Sequence, residues 1–315
     1  MSWVCPMCSS NNESSERVCI VCGESCPENH LKFDLTSQIK NASGSCSSLF
    51  GAHKTVSREE EFQQALNLFK INPVSGFAEM LKCAESGYAP AQNEVGDCYY
   101  YGRGVAQSYE QAFLWFEKAA RQNLPRAQYN LGFCYCRGKG TYKSPTTAVL
   151  WYQRAAKAGH ALAQNELGDC YYFGEGVEKN LEAAFSWYQK SAAQGAARGQ
   201  FNLGFCYLRG VGVAADFIKA FECFTKSAAQ GNLNAENYVG ECYYYGYGVD
   251  KSTSKAMEHY LVAANGGLSS AQYNLGYCYE KGPGVTHNTK KAIEWYTKAA
   301  AQGHQEAKKA LEKLT

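Results

Sequence analysis

AQYNLGYCYEKGPGV, residues Ala271 to Val285, is the clearest copy of a unit that recurs along most of the chain. Its central glycine, Gly276, is preceded by Gly240, Gly204, Gly168, Gly132 and Gly96, each 36 residues from the next. Copies at a fixed period of this length imply a repeat array, because one short supersecondary unit cannot bury its own apolar face and must stack on its neighbours. Function in such an array belongs on a continuous surface.

Each unit reads as two helices. Ala91, Val95, Cys98 and Tyr99 are spaced to share one face of the first, as are Ala127, Leu131, Cys134 and Tyr135, or Ala271, Leu275, Cys278 and Tyr279. A glycine inside a helix costs about 1 kcal/mol relative to alanine, so the recurrent central glycine implies close approach of a neighbouring helix backbone. Gly102/Gly104, Gly174/Gly176, Gly210/Gly212, Gly246/Gly248 and Gly282/Gly284 then end the helix and shape the turn. The second helix starts at the N-caps Ser108, Ser144, Asn180, Asp216, Ser252 and Asn288, and stops at Asn123, Gly159, Gly195, Gly231, Gly267 or Gly303. Between them, Ala112, Phe116, Ala119 and Ala120 and their equivalents face inward.

Glu61 to Lys70 and Phe77 to Ser86 read as a degenerate capping repeat, and Gln305 to Leu314 as a lone charged closing helix. The order is therefore a small module over 1–26, a flexible linker over 27–56, a capping repeat over 57–88, six repeats over 89–304 and a closing helix over 305–315. The pattern LG-x-C-Y-x-x-G-x-GV…A-x-x-W-Y-x-K-A-A-x-x-G, seen from Leu167 to Gly195 and from Leu275 to Gly303, resembles the Sel1-like repeat, a relative of the tetratricopeptide repeat. That resemblance implies an all-α fold, a right-handed superhelical solenoid of paired antiparallel helices with a concave face, used as an adaptor or scaffold without catalysis.

The fifteen cysteines fall into an N-terminal cluster and a regular series. Cys98, Cys134, Cys170, Cys206, Cys242 and Cys278 sit at one repeat position and read as small buried packers, too far apart for disulfides. Cys5-x2-Cys8 and Cys19-x2-Cys22 have the spacing to place four thiolates around one Zn2+, which supplies folding energy that so short a segment lacks. With Trp3 and Asn12, these cysteines resemble the zinc finger of RanBP type. Fingers of that type bind ubiquitin or single-stranded RNA; this copy has Ser9-Ser10 where ubiquitin readers carry Thr-Phe, and Glu13 where RNA readers carry an aromatic. A third reading makes the metal a staple for a protein-contacting module. From Thr36 to Ser48 the chain is rich in Ser, Asn and Gly, as expected of a flexible arm.

Opposite the buried face of the first helix runs a stripe whose chemistry alternates, giving a true period of 72 residues. One set of repeats presents Asn93, Asp97, Tyr100 and Tyr101; Asn165, Asp169, Tyr172 and Phe173; Asn237, Glu241, Tyr244 and Tyr245. The intervening set presents Tyr129, Phe133 and Arg137; Phe201, Phe205 and Arg209; Tyr273, Tyr277 and Lys281. This stripe is expected to line the concave groove and hold a protein or extended peptide, with the aromatics as pockets and the charges fixing polar groups. The competing reading is duplication of a two-repeat block whose aromatics pack against adjacent helices.

A net charge of +2 carries no signature of nucleic-acid or membrane partners. No apolar run approaches the roughly 18 residues that span a bilayer, and MSWVCPMCSS lacks the pattern of a secretory leader. His30, His53, His160, His259, His287 and His304 are scattered without a nucleophile, and the glycines lack the lysine of a phosphate loop. The expectation is a non-enzymatic cytoplasmic or nuclear adaptor, with an RNA-binding protein or a ubiquitin-directed quality-control adaptor as alternatives.

Overall fold

The computed structural model describes residues 57–314, together with the backbone of two short strands, β1 (Trp3–Val4) and β2 (Asn11–Asn12). These strands pair antiparallel, with Trp3 opposite Asn12 and Val4 opposite Asn11. Cys5, Cys8, Cys19 and Cys22 and the linker lie outside the described residues.

Helices fill the rest, in two compact units, Met1–Ala158 and Gly159–Thr315. The first holds α1 (Arg58–Ile71), α2 (Pro73–Glu85), α3 (Ala89–Tyr101), α4 (Tyr109–Arg121), α5 (Pro125–Arg137) and α6 (Pro145–Lys157). The second holds α7 (Ala161–Phe173), α8 (Leu181–Ala193), α9 (Ala197–Arg209), α10 (Phe217–Ala228), α11 (Leu233–Tyr245), α12 (Thr253–Asn265), α13 (Ser269–Lys281), α14 (Thr289–Ala301) and α15 (Gln305–Leu314). Each unit stacks helix pairs: α3 packs on α4 and α4 on α5, and the same order runs from α7 to α15.

Local chemistry fixes the helix ends. Ser57 opens α1 with a reciprocal capping box to Glu60. At Ser108, Ser144, Asn180, Asp216, Ser252 and Asn288 the side-chain oxygen accepts the backbone N–H three residues on, satisfying a donor that the helix leaves unpaired. Asn123 takes the left-handed conformation, φ 61°, at the place where the other repeats use glycine. Gly282 departs from the pattern: its φ of −62° and ψ of 128° are extended where the equivalent glycines are left-handed. Pro283 is the cause, because its ring disfavours helical geometry in the residue before it.

The central glycines face first an aromatic ring of the following helix, and the expected backbone approach accompanies it at Gly132, Gly240 and Gly276, where a Cβ would also stand 3.1–3.3 Å from the carbonyl oxygen of Ala148, Ala256 or Ala292. A Cβ on Gly96, Gly132, Gly168, Gly204, Gly240 or Gly276 would stand between 2.5 and 2.9 Å from a ring carbon of Phe116, Tyr152, Tyr188, Phe224, Tyr260 or Tyr296 respectively. All six rings are buried, and burying one such side chain stabilises by roughly 1.5–3 kcal/mol. Tighter backbone approach occurs at Gly104, Gly140, Gly212 and Gly248. There a Cβ would meet the carbonyl oxygen of Pro73, Tyr109, Leu181 or Phe217, the first helical residue of the preceding α2, α4, α8 or α10. The serial cysteines are buried as expected, and none joins a disulfide.

Gly240→Ala raises intrinsic helix propensity by about 1 kcal/mol but overpacks the ring of Tyr260, at a cost of about 1–3 kcal/mol. The expected result is a lower urea midpoint, and a smaller penalty for the same change in a Tyr260→Leu background. Stabilisation by Gly240→Ala alone would show that the ring moves aside freely.

Candidate functional site

The alternating stripe divides into two parts once its side chains are placed. Asn93, Asn165 and Asn237 are buried, at 1%, 0% and 3% exposure, which corrects the expectation that they meet a ligand. Each donates to the carboxylate one turn on: Asn93 to Asp97 at 3.4 Å, Asn165 to Asp169 at 3.2 Å and Asn237 to Glu241 at 2.9 Å. Each also accepts from an asparagine of the next repeat. Asn130 reaches Asn93 at 3.0 Å, Asn202 reaches Asn165 at 2.9 Å and Asn274 reaches Asn237 at 3.0 Å. The 72-residue alternation therefore serves in part a polar clasp between successive first helices, α3 with α5, α7 with α9, and α11 with α13.

Arginines complete two of the clasps. Arg126 bridges Glu94 and Asp97, both at 2.6 Å, and Arg198 bridges Glu166 at 2.7 Å and Asp169 at 3.5 Å. Sequence reasoning missed Asn130, Asn202, Asn274, Arg126 and Arg198; their signal was the same residue type recurring at 72-residue spacing beside the repeat's buried positions. A second ladder ties the helix pairs together: Gln122 donates to Gln92, Gln194 to Gln164 and Gln302 to Gln272, at 2.8, 2.7 and 2.9 Å.

Desolvation dominates the clasp carboxylates. Burial pushes Asp97 from 3.8 up to about 6, although Arg126 beside it pulls the other way, and it raises Asp169 and Glu241 as well. The half-exposed guanidinium of Arg126 remains hydrated, so its pull is screened.

The aromatics also separate. Tyr129, Phe201 and Tyr273 turn toward the interior rings Tyr152, Phe224 and Tyr296, at 6.0, 5.8 and 5.6 Å between centroids, so they extend the core. Tyr100 meets Phe133 edge-on at 6.2 Å, Tyr172 meets Phe205 at 6.4 Å, and Tyr244 meets Tyr277 at 6.3 Å, linking α3 to α5, α7 to α9 and α11 to α13. Tyr101, Phe173 and Tyr245 stand at the solvent edge of this track, exposed by 63%, 65% and 52%. Arg137 lies 5.8 Å over the ring of Phe133, and Lys281 is paired with Glu280 at 2.9 Å. Arg209 hydrogen-bonds to Tyr238 and faces Glu241 across a cavity of about 420 Å³.

Three of the histidines have local structural partners. His160 caps α7 by accepting from Ala163, His259 meets Glu236 at 2.8 Å, and His304 stacks on Tyr273 at 4.7 Å. Among the described residues no cluster of His, Cys, Asp and Glu is arranged to hold a metal ion, and no helix is long and apolar enough to cross a membrane.

Helix pairs at a 36-residue period, interlocked by glycine and ring and clasped by asparagines, define an all-helical solenoid of the tetratricopeptide-like class. The Sel1 repeat model matches six consecutive segments, 89–124, 125–160, 161–195, 197–232, 233–268 and 269–304, and the chain belongs to the Sel1 repeat family. Proteins of this family generally serve as protein-interaction scaffolds.

Two solved structures support the assignment. The chain is similar to c5321, a protective antigen of uropathogenic Escherichia coli strains displaying an SLR fold, with 33% identity and a TM-score of 0.72 over 82% of this chain and 56% of that one. It thus spans little more than half the length of that antigen. It is also similar to a Sel1 repeat protein from Oxalobacter formigenes, with 30% identity and a TM-score of 0.69, covering 76% of this chain and 96% of the other. No curated protein shows a significant match to the sequence.

The pH dependence of the clasp follows from Asp97. Because its folded-state value is raised from 3.8 to about 6, the folded protein keeps a proton that the unfolded chain has released, and stability falls as the pH rises through that window. Asp97→Asn, which keeps a hydrogen-bonding side chain without the charge, is expected to remove a loss of up to about 3 kcal/mol between pH 4 and 6.5, read by urea unfolding at both pH values. An unchanged difference between the two would assign that titration to other carboxylates.

Proposed function

We propose that this protein is a non-enzymatic scaffold that binds an extended segment of another protein along the exposed aromatic track of its first helices. One observation carries the reading: Tyr101, Phe173 and Tyr245 hold one repeat position and remain more than half exposed although each abuts a packed ring, Tyr100, Tyr172 or Tyr244. Large aromatics held rigid by their neighbours and left open to solvent form the contact area on which protein interfaces concentrate their binding energy. Adjacent helices pack about 8–10 Å apart, so within the second unit Phe173 and Tyr245, two repeats apart, stand roughly 20 Å from each other. An extended chain advances about 3.3 Å per residue and meets one such ring about every six residues.

The same reading gives the N-terminal module a second recognition role. Cys5, Cys8, Cys19 and Cys22 would hold Zn2+ as a tetrahedral thiolate site. The strand pairing supports this, because it sets Trp3 opposite Asn12, the two non-cysteine positions of the RanBP-type pattern, and brackets the first Cys-x2-Cys. Ubiquitin and single-stranded RNA are the two ligand classes to assay there. The compartment consistent with so many reduced thiols is cytoplasmic or nuclear.

For the track, peptides selected from a library of unstructured sequences on the full chain are expected to lose at least about tenfold in affinity when Tyr101→Ser, Phe173→Ser and Tyr245→Ser are combined. The thermal midpoint should be retained, since the rings are exposed. Undiminished affinity would move the partner to another face.

For the module, elemental analysis of the purified chain should find zinc at one ion per molecule. Cys5→Ser with Cys19→Ser should remove it without altering the helical circular dichroism. Stoichiometric zinc surviving the double substitution would place the ion elsewhere.

A further inference from the structure

Three clasps are built on one plan, and the third lacks the cross-repeat arginine of the other two. Arg126 and Arg198 cross from one repeat to pair with the carboxylates of the repeat before, and Arg103 adds a second guanidinium that favours the ionised form of Asp97. In the third clasp, Ser270 stands where Arg126 and Arg198 stand, Tyr238 replaces Glu94 and Glu166, and Tyr247 replaces Arg103. The asparagines are retained, and the carboxylate is one methylene longer, as Glu241. Its hydrogen bonds come from Asn237 and Asn274; the cation it senses, Arg209, acts at a distance and is bonded to the Tyr238 hydroxyl.

The cavity of about 420 Å³ opens at this clasp. Glu241 and Asn274 line it with Arg209, and Tyr245, Tyr247 and Phe217 supply aromatic surface. Phe217 and Tyr247 stack at 5.0 Å and Tyr245 and Tyr247 at 5.5 Å, giving rings with little freedom left to lose. In the first clasp the equivalent ring already carries a cation: Arg103 lies 5.2 Å over Tyr101, at the repeat position of Tyr245.

We propose that this cavity receives the guanidinium of an arginine in the partner's extended segment, with Glu241 as its counter-ion and the exposed ring of Tyr245, backed by Tyr247, as the surface on which it stacks. The partner thereby supplies in trans the group that the two earlier clasps hold in cis. Arginine suits the site better than lysine, because its planar fork pairs with a carboxylate through two bonds and lies flat on aromatic faces. Arg209 keeps donors beyond its bond to Tyr238 and presents them to main-chain carbonyls of the same segment. The inference rests on the reading of the exposed rings as the partner-binding face.

The test uses the full chain and capped arginine, N-acetyl-arginine N-methylamide, titrated by ligand-observed NMR beside its lysine and citrulline counterparts. Arginine is expected to bind at least about fivefold more tightly than citrulline, which matches its shape without its charge. Glu241→Gln should abolish that preference. A second variant, Ser270→Arg, restores the cross-repeat arginine while leaving the Tyr238 ring stacked on Phe224, and should remove arginine binding, so the proposal stays decidable even where Glu241→Gln unfolds. Equal binding of citrulline, or arginine binding undiminished in the rebuilt variant, overturns it.

The two readings fail separately. Library peptides that depend on Tyr101 and Phe173 yet show no arginine preference and no response to the rebuilt clasp would sink the cavity and leave the track standing. Capped arginine held through Glu241, alongside peptides indifferent to Tyr101→Ser and Phe173→Ser, would leave the cavity and sink the track.

Discussion

The contact between a helical glycine and an aromatic ring is the constraint on which each repeat depends. At Gly96, Gly132, Gly168, Gly204, Gly240 and Gly276 the absent side chain is the space that the ring of the following helix occupies. Seating the ring there buries it almost completely and draws the two helices of a pair together. That closeness lets small residues such as Ala112, Ala148, Ala184, Ala220, Ala256 and Ala292 fill the rest of the seam at no measurable exposure or nearly so. The interlock also explains why helix propensity is given up at the same place in six copies: about 1 kcal/mol of propensity is exchanged for a buried ring.

With the pairs held by apolar contact, the polar groups are left to join pair to pair. An unpartnered amide or carboxylate in a packed interface is costly, so each clasp asparagine must both give and accept, and it does so between its own helix and the next first helix. The carboxylates show the balance of forces: even a short ion pair with Arg126 leaves Asp97 harder to ionise than a free aspartate, because burial weighs more than a partner whose own charge is half in water. These clasps fix register more than they add stability, and a two-repeat period is what a donor helix facing an acceptor helix requires.

What was legible in the sequence was local. The N-caps, the glycine stops, the stand-in Asn123 and the bounds of α15 follow from the residues within a turn or two, and the structure places them where those residues put them. The capping helices α1 and α2 start three and four residues before the apolar pattern shows them, since Ser57 and Pro73 open helices whose first turns carry few apolar residues. Groups set by stacking were harder to read. Helical spacing placed Asn93 on the face away from its own partner helix, but in a stack each first helix is also flanked by the next one, 33 to 37 residues on. A single-helix projection therefore labels as surface what the neighbour covers, and it gave no hint that Asn130 or Arg126 would be the cover.

The same reasoning locates function in the departures from the repeat. Where asparagine, carboxylate and arginine all recur, as at Asp97 and Asp169, the clasp has satisfied its own polar chemistry, and only the exposed rings beside it remain for a partner. At Glu241 two positions have changed together: the cross-repeat arginine is a serine and its acidic companion is Tyr238, while Tyr247 stands where the first clasp has Arg103 and the second Glu175. Neutral drift of one side chain would leave an unbalanced charge for the others to carry, whereas here the acid is retained, lengthened and opened to a cavity walled by stacked rings. A carboxylate kept without the cross-repeat arginine that the fold twice provides, facing Arg209 over an open cavity, leaves a place for a guanidinium from outside the chain.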